Sequence, residues 1–294
     1  MMSGCAPPTA DRLQLLSTPA VVAEVLTLNA MTPEFTNEAY APRTQLAFPL
    51  DGLHYISSDR REVLLDLNNV ALIPAGVTTR DRHPATGDMS CLVVTLDAAF
   101  LEAVSRGRTR EAGLAQAPCS LRPASAQIQY SAAVVAARSQ AVLGPELEGL
   151  EEALVAMVRN AAAVTASAEP IGPRSLRLVR TVKELLDATT APLSLSAIAN
   201  EAGASPTYLT DLFRRAEGMP IYRYQNRLRL ARSLLRLGDT DDITDLALEL
   251  GFSSHSHFTS TFRATFGVTP SAHRETVRRR VVRMKPLRQA IRAA

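Results

Sequence analysis

Toward the C-terminus, apolar residues fall at helical spacing in two short runs that each end at a glycine. Leu195, Ile198 and Ala199 lead to Gly203, and the stretch from Ile243 leads to Gly251. A second helix is predicted after each glycine. Ser205 can cap the first of these, with Pro206 at the opening helical position, where no amide hydrogen is required. Its Leu209, Leu212 and Phe213 share one face, which turns Thr207, Thr210, Asp211 and Arg214 outward. In the later unit Phe258 and Phe262 are the buried knobs. His255, Ser256, His257, Thr259, Ser260 and Arg263 then lie on or near the opposite face, small or hydrogen-bonding side chains able to approach a major groove closely. Between the units, Pro220 to Leu237 carries Tyr224, Leu228, Ala231 and Leu235 at helical spacing and stops at Gly238, read as the C′ glycine. At 1.5 Å per residue that helix is roughly 26 Å long, to be set against the roughly 34 Å between successive major-groove faces of DNA. Two helix-turn-helix units in one chain could thus act as a pair of reading heads.

Earlier in the chain the pattern changes to short β-rich runs. Thr44 to Leu50, Leu53 to Ile56, Val63 to Asp66, Val70 to Ile73 and Ser90 to Leu96 are broken by turn residues at 51–52, 68–69 and 74–76. Strands at this spacing predict a small barrel or sandwich. After Pro145, the positions Leu147, Leu150, Leu154, Met157 and Ala161 step by three and four residues, opposite Glu148, Glu151, Glu152 and Arg159. This amphipathic helix either pairs its stripe with a second copy of the chain or packs it on its own barrel. Residues 162–175, rich in small side chains with Pro170 and Pro173, have the composition of a linker.

The run from about Leu176 to Arg274 resembles the DNA-binding domain of the AraC/XylS family of bacterial transcription regulators. The resemblance lies in Gly251 to Ser254, Ser256 to Phe258, Phe262 with Arg263, and the closing Phe266 to Pro270. One helix-turn-helix pattern is weak evidence, whereas two at this spacing with that closing segment are specific. The resemblance implies a seven-helix domain that seats both recognition helices on double-stranded DNA and works with, or competes with, RNA polymerase. Relatives often carry arginine or lysine where this chain has Asp211, and arginine where it has Ser260. An aspartate repels phosphates yet can accept a hydrogen bond from a cytosine amino group. Base preference therefore does not transfer, and Asp211 has the alternative of capping or of pairing with Arg214 or Arg215. Leu72 to Gly76 resembles the turn of a cupin barrel, which implies a sensor domain. The expected fold is α+β and multidomain: a cupin-like β-barrel (1–125), a helical dimerisation connector and linker (126–173), an all-α tandem helix-turn-helix domain (174–276) and a basic tail (277–294).

Charge divides along the same line. Residues 171–294 hold 20 Lys and Arg against 11 Asp and Glu, a balance of +9, and residues 1–170 hold 12 against 18, a balance of −6, which together give the net +3. The basic portion is the one expected on DNA. Arg278, Arg279, Arg280, Arg283, Lys285, Arg288 and Arg292 follow Glu275 with no further acid, a tail suited either to phosphate contacts or to remaining solvated. No apolar run approaches the length of a membrane span and no secretory leader pattern opens the chain, so a cytoplasmic protein with no membrane partner is expected.

Chemistry is sparse. Cys5, Cys91 and Cys119 lack the spacing of a disulfide framework or zinc site and fit reduced thiols, with redox sensing by Cys91 or Cys119 as a secondary reading. Metal-dependent cupins use several His and Glu ligands, but this region offers only His54 and His83, and Thr79 stands where a ligand is expected. No metal, cofactor or enzymatic activity is expected. A barrel interior drawn from Phe48, Tyr55, Leu65, Ile73 and Cys91, with Arg43 or His83 as a polar handle, could hold a small effector or simply be packed core. In the polar run before Pro84, His83 reads most simply as an exposed loop residue. Two other function classes stand beside a DNA-binding regulator: an effectorless protein-interaction antiactivator, and a DNA-repair alkyl-transfer enzyme. The latter lacks a cysteine in a setting that would make it a reactive thiolate.

Overall fold

The computed structural model describes residues 9–30, 34–58, 61–84, 87–105, 119–139, 148–163 and 171–278. The chain opens with strands β1 (Thr9–Ser17), β2 (Val21–Ala30), β3 (Ala39–Tyr40), β4 (Thr44–Asp51), β5 (His54–Ser58), β6 (Arg61–Leu65), β7 (Asn69–Ile73), β8 (Thr78–Arg82) and β9 (Gly87–Leu96). Helix α1 (Ala98–Ser105), strand β10 (Ser120–Pro123), α2 (Ala126–Ser139) and α3 (Glu148–Ala163) follow. Then come α4 (Pro173–Asp187), α5 (Leu195–Glu201), α6 (Pro206–Glu217), α7 (Ile221–Arg236), α8 (Ile243–Glu249), α9 (His255–Phe266) and a helix over 270–278, α10. From α4 onward these make seven helices, the number implied by the resemblance.

The strands form two antiparallel sheets, ordered β1-β2-β9-β4-β7-β10 and β3-β8-β5-β6. β4 pairs with β9 and β5 with β8, nested pairings around the turn between β6 and β7. That is the wrapped hairpin of a jelly roll, the double-sheet architecture of cupins. Between the sheets lie Ala47, Ile56, Leu65, Ala71, Ile73, Cys91 and Val93. Alternation sends Leu46, Phe48 and Leu50 of β4 to the other face of the larger sheet, where they pack under α2 and α3. Both faces are covered, which is why β4 is buried almost throughout.

This placement corrects the expected barrel lining. Leu65, Ile73 and Cys91 face the interior, but Phe48 lies in the outer core beneath the helices and Tyr55 joins Leu53 and Leu64 on the outside of the smaller sheet. Phe48 and Tyr55 are therefore not effector-facing. β1, β2, β3, β8 and β10 went unread in the sequence. β8, Thr78–Arg82, is too polar to announce itself: only Thr79 is fully buried, Asp81 and Arg82 are half-buried, and Thr78 and Arg80 are exposed.

The apolar stripe of α3 is also resolved: Leu154, Met157, Val158 and Ala161 are buried in the core shared with α2 and the larger sheet. The side chains of Leu147 and Leu150 fall outside the described residues. From Leu154 onward the stripe packs on its own chain, the second of the two arrangements open to it. Gly238 follows the end of α7 without a left-handed backbone; an added Cβ there would meet Val277 Cγ1 at 2.8 Å, so closeness of α10 explains the glycine. Leu154→Ala should cost about 2–5 kcal/mol of stability, read by urea unfolding, with no change in association state by light scattering. Dissociation of a dimer with stability intact would overturn this placement.

Candidate nucleic-acid interface

Each helix-turn-helix unit is built by the same local chemistry. Ser205 Oγ accepts from Tyr208 N–H at 3.3 Å and Ser254 Oγ from His257 N–H at 3.1 Å, so α6 and α9 both begin at a serine cap. Gly203 and Gly251, with φ of 65° and 78°, make the left-handed turns before them. Leu209, Leu212 and Phe213 anchor α6, and Phe258, Phe262 and Phe266 anchor α9 in a ladder with ring centroids 5.6 Å and 4.9 Å apart.

The outward faces carry most of the residues that the sequence singled out. Thr207, Asp211 and Arg214 are exposed on α6, as are His255, Ser256, His257, Ser260 and Arg263 on α9. Thr210 is half-buried and donates its hydroxyl to Pro206 O at 2.8 Å; Ser260 donates to His257 O at 3.0 Å. Thr259 is a correction: its hydroxyl is buried and unpaired, so it is turned into the helix packing and away from the outward face. Among the described residues no hydrogen bond or ion pair ties Asp211 back to Arg214.

Arginines of α7 fix the two units. Arg229 Nη1 donates to Gly251 O at 2.7 Å, in the turn of the second unit. Arg232 donates to Thr189 O at 3.1 Å and Asp187 O at 2.6 Å, in the approach to the first. Arg278 binds Gly238 O at 2.9 Å, which places it against the chain behind α7, away from any free tail. Arg279, Arg280, Arg283, Lys285, Arg288 and Arg292 lie outside the described residues.

A charged seam joins the first unit to the jelly roll. Lys183 Nζ on α4 sits 2.7 Å from Asp66 Oδ2, in the turn between β6 and β7, and 2.5 Å from Glu217 Oε1 at the end of α6. Tyr224 donates to Asp66 at 2.9 Å, Asn68 Nδ2 to Glu217 at 3.3 Å, and Tyr55 to Glu184 of α4. Burial alone would raise the Asp66 carboxyl, but Lys183 and the surrounding donors hold it below its ordinary range. Burial would lower Lys183, and the two carboxylates more than offset this. Glu217 is pushed up by burial, with Lys183 opposing and Asp66 adding to the rise. Sequence reasoning missed this cluster. Its one signal was Lys183 in phase with the apolar Val179, Val182 and Leu186.

Within the jelly roll, His54 Nε2 lies 3.7 Å from Asp81 Oδ1 and its Nδ1 3.5 Å from Cys91 Sγ. Ser58 Oγ is buried without a partner. His83 is buried too, 3.8 Å from Asp187 of α4, so it is an interdomain residue and no exposed loop position. Arg43 is half-buried at the approach to β4. Burial raises the Cys91 thiol well above its usual value and Cys119 to about 12, with Asp81 adding to both. Neither is a thiolate at neutral pH, which is unsuited to redox sensing. Among the described residues no cluster of His, Cys, Asp or Glu is arranged to hold a metal ion, and no helix is long and apolar enough to cross a membrane.

Two capped recognition helices, each presented outward and braced by one connecting helix, define the class: a tandem helix-turn-helix module. A helix-turn-helix domain model matches residues 198–276. SoxS of Salmonella typhimurium, a regulatory protein, is 31% identical over 100 residues, 33% of this chain and 94% of that protein. The transcriptional regulator GlxA of Rhizobium meliloti is 36% identical over 111 residues, which span 37% of this chain and 34% of the relative. A solved AraC-type transcriptional regulator from Chromobacterium violaceum shares 33% identity, covering 36% of this chain and 96% of that one, with a TM-score of 0.34. The chain belongs to the AraC/XylS family. It spans about a third of the length of a relative such as GlxA, and the matching domain model lies within the C-terminal helices.

Burial holds His54 neutral, with its pKa lowered to about 3, and raises Asp81 to about 6. An unfolded histidine takes a proton below about 6.5 while buried His54 does not, so stability falls as pH drops through that window. Asp81 acts oppositely: the folded state holds its proton up to a higher pH than the unfolded chain does, so acidification through pH 6 favours folding. Asp81→Asn removes the compensation. It should lose about 1–2 kcal/mol more than the unsubstituted chain between pH 7 and pH 5, measured by urea unfolding at both values. Equal losses would contradict the assignment.

Proposed function

We propose that the protein is a sequence-specific, DNA-binding regulator of transcription, acting in the cytoplasm on promoter DNA and through RNA polymerase. The observation that carries this reading is the pair of outward faces on α6 and α9. Both hold small or hydrogen-bonding side chains, and arginines of α7 bond to carbonyls in the turn before α9 and in the chain leading into the first unit. Thr207, Thr210, Asp211 and Arg214 then form the first reading surface, and His255, Ser256, His257, Ser260 and Arg263 the second. Arginines on these faces serve phosphates or guanine edges, whereas a serine or histidine approaches base edges closely.

The division into a sensor (1–125), a connector (126–173), a reading domain (174–276) and a tail (277–294) goes with this function. A small effector would enter between the two sheets, where His54, Ser58 and Asp81 are among the polar groups and many of the side chains are aliphatic. Its action would be a change in how the jelly roll docks on the reading domain, or in the geometry of a homodimer formed away from the α3 stripe.

Ser256→Ala should weaken binding by about 1–3 kcal/mol on duplexes that keep the preferred base opposite it, and by little on duplexes already substituted there. Arg214→Ala is expected to reduce the salt dependence as well as the affinity. Titration of the full chain against a panel of single-base variants, at two salt concentrations, reads both. Identical losses across the panel would remove Ser256 from base reading, and absence of any sequence preference in the unsubstituted chain would sink the function itself.

A further inference from the structure

The two reading heads are attached to the rest of the molecule by different chemistry. The largest apolar core runs without a break from the outer face of the larger sheet through α2 and α3 into the second unit, taking in Leu246, Phe258, Phe262 and Phe266. Tyr130 of α2 packs on Phe266 at 5.6 Å and on His273 at 5.4 Å. The first unit has its own core of Val182, Leu186, Leu209, Phe213, Tyr224 and Leu228, to which the jelly roll contributes Leu67. Among the described residues its other contacts with the jelly roll include many polar ones: the Asp66–Lys183–Glu217 cluster, Asn68 to Glu217, Tyr55 to Glu184, His83 to Asp187 at 3.8 Å, Arg180 to Glu62 at 3.3 Å, and Arg232 to Asp51 at 3.7 Å.

We propose that the charged seam is the positioning device of the first recognition helix, with Lys183 as its positioning residue, so that the jelly roll governs DNA reading by α6 while α9 stays fixed. Helix α7 passes through both cores, with Tyr224 and Leu228 in one and Leu230 and Leu234 in the other, and so can hold the second unit while the first shifts. The energetic asymmetry is general. Separating an apolar core exposes surface in proportion to its area, whereas the attraction within a buried ion pair is largely offset by the hydration the ions give up. A modest change at the turn between β6 and β7 is therefore enough to release α6 and too small to release α9. Asp66 and Asn68 sit in that turn, and Glu217 is the last residue of α6.

The inference rests on the DNA-binding reading for its functional meaning, so the test has an arm free of DNA. Hydrogen exchange is measured on the full chain carrying Lys183→Met. Because that substitution strands two buried carboxylates, a second variant, Asp66→Asn with Lys183→Met and Glu217→Gln, removes the charge altogether. In both, amides of α6 should exchange about tenfold or more faster while those of α9 keep their protection. Equal acceleration in both helices, or none in either, overturns the proposal. Footprinting on a duplex selected by the unsubstituted chain from a random pool is the second arm. Protection should be lost over the segment read by α6 and kept over that read by α9; uniform loss overturns the positioning role. If the unsubstituted chain selects no duplex, the DNA-binding reading fails, while the exchange data still decide the seam.

Discussion

Helix α7 is the element on which the arrangement depends. Ten of its residues are buried, among them Arg227 and Arg229, and a buried guanidinium is tolerable only when its donors find acceptors. Backbone carbonyls supply most of them, Ala124 O for Arg227, Gly251 O for Arg229, and Thr189 O and Asp187 O for Arg232, with Gln129 and Asn226 side-chain oxygens adding to the first two, while Arg229 Nε is left buried without a partner. Each arginine thereby ties a different segment to one helix: the approach to α2, the turn of the second unit and the approach to the first. The planar fork of arginine suits this better than the point charge of lysine, since it reaches several carbonyls while its stem packs among apolar side chains.

Around that spindle the molecule is divided by chemistry more than by chain order. The second helix-turn-helix unit shares an apolar core with α2, α3 and the larger sheet, and the first meets the jelly roll across paired charges. A charged contact has an angular requirement that an apolar one lacks, so the first unit is held in a defined pose at little net energy. Where such a contact lies between a candidate sensing domain and a recognition helix, small changes on one side have a mechanical path to the other. His83 against Asp187, itself bonded to Arg232, offers a parallel route from the jelly roll to α7.

Much of the reading domain was legible because its signals are local. A glycine with positive φ, a serine cap, a proline at the first helical turn and apolar residues at three- and four-residue steps act within a few residues of one another. They located α5, α6, α8 and α9 and most of the exposed residues on the recognition helices. Thr259 escaped because one step around a helix separates facing solvent from facing the core. The jelly roll was legible only in part. β4 to β7 and β9 are apolar enough to stand out, but β8 is a polar strand that gains its identity from pairing with β3 and β5.

By itself, then, the sequence determined the tandem units, their caps, their outward faces and the charge contrast between the two parts of the chain. The tertiary structure alone decided which faces are used up inside the molecule. The α3 stripe packs on its own chain, Phe48 and Tyr55 turn away from the barrel interior, and Lys183 meets Asp66 and Glu217. The physical reason is one of range. Caps, turns and periodicity are written into neighbouring residues, whereas the partner of a buried side chain is chosen by packing between separate elements, and no local pattern encodes it.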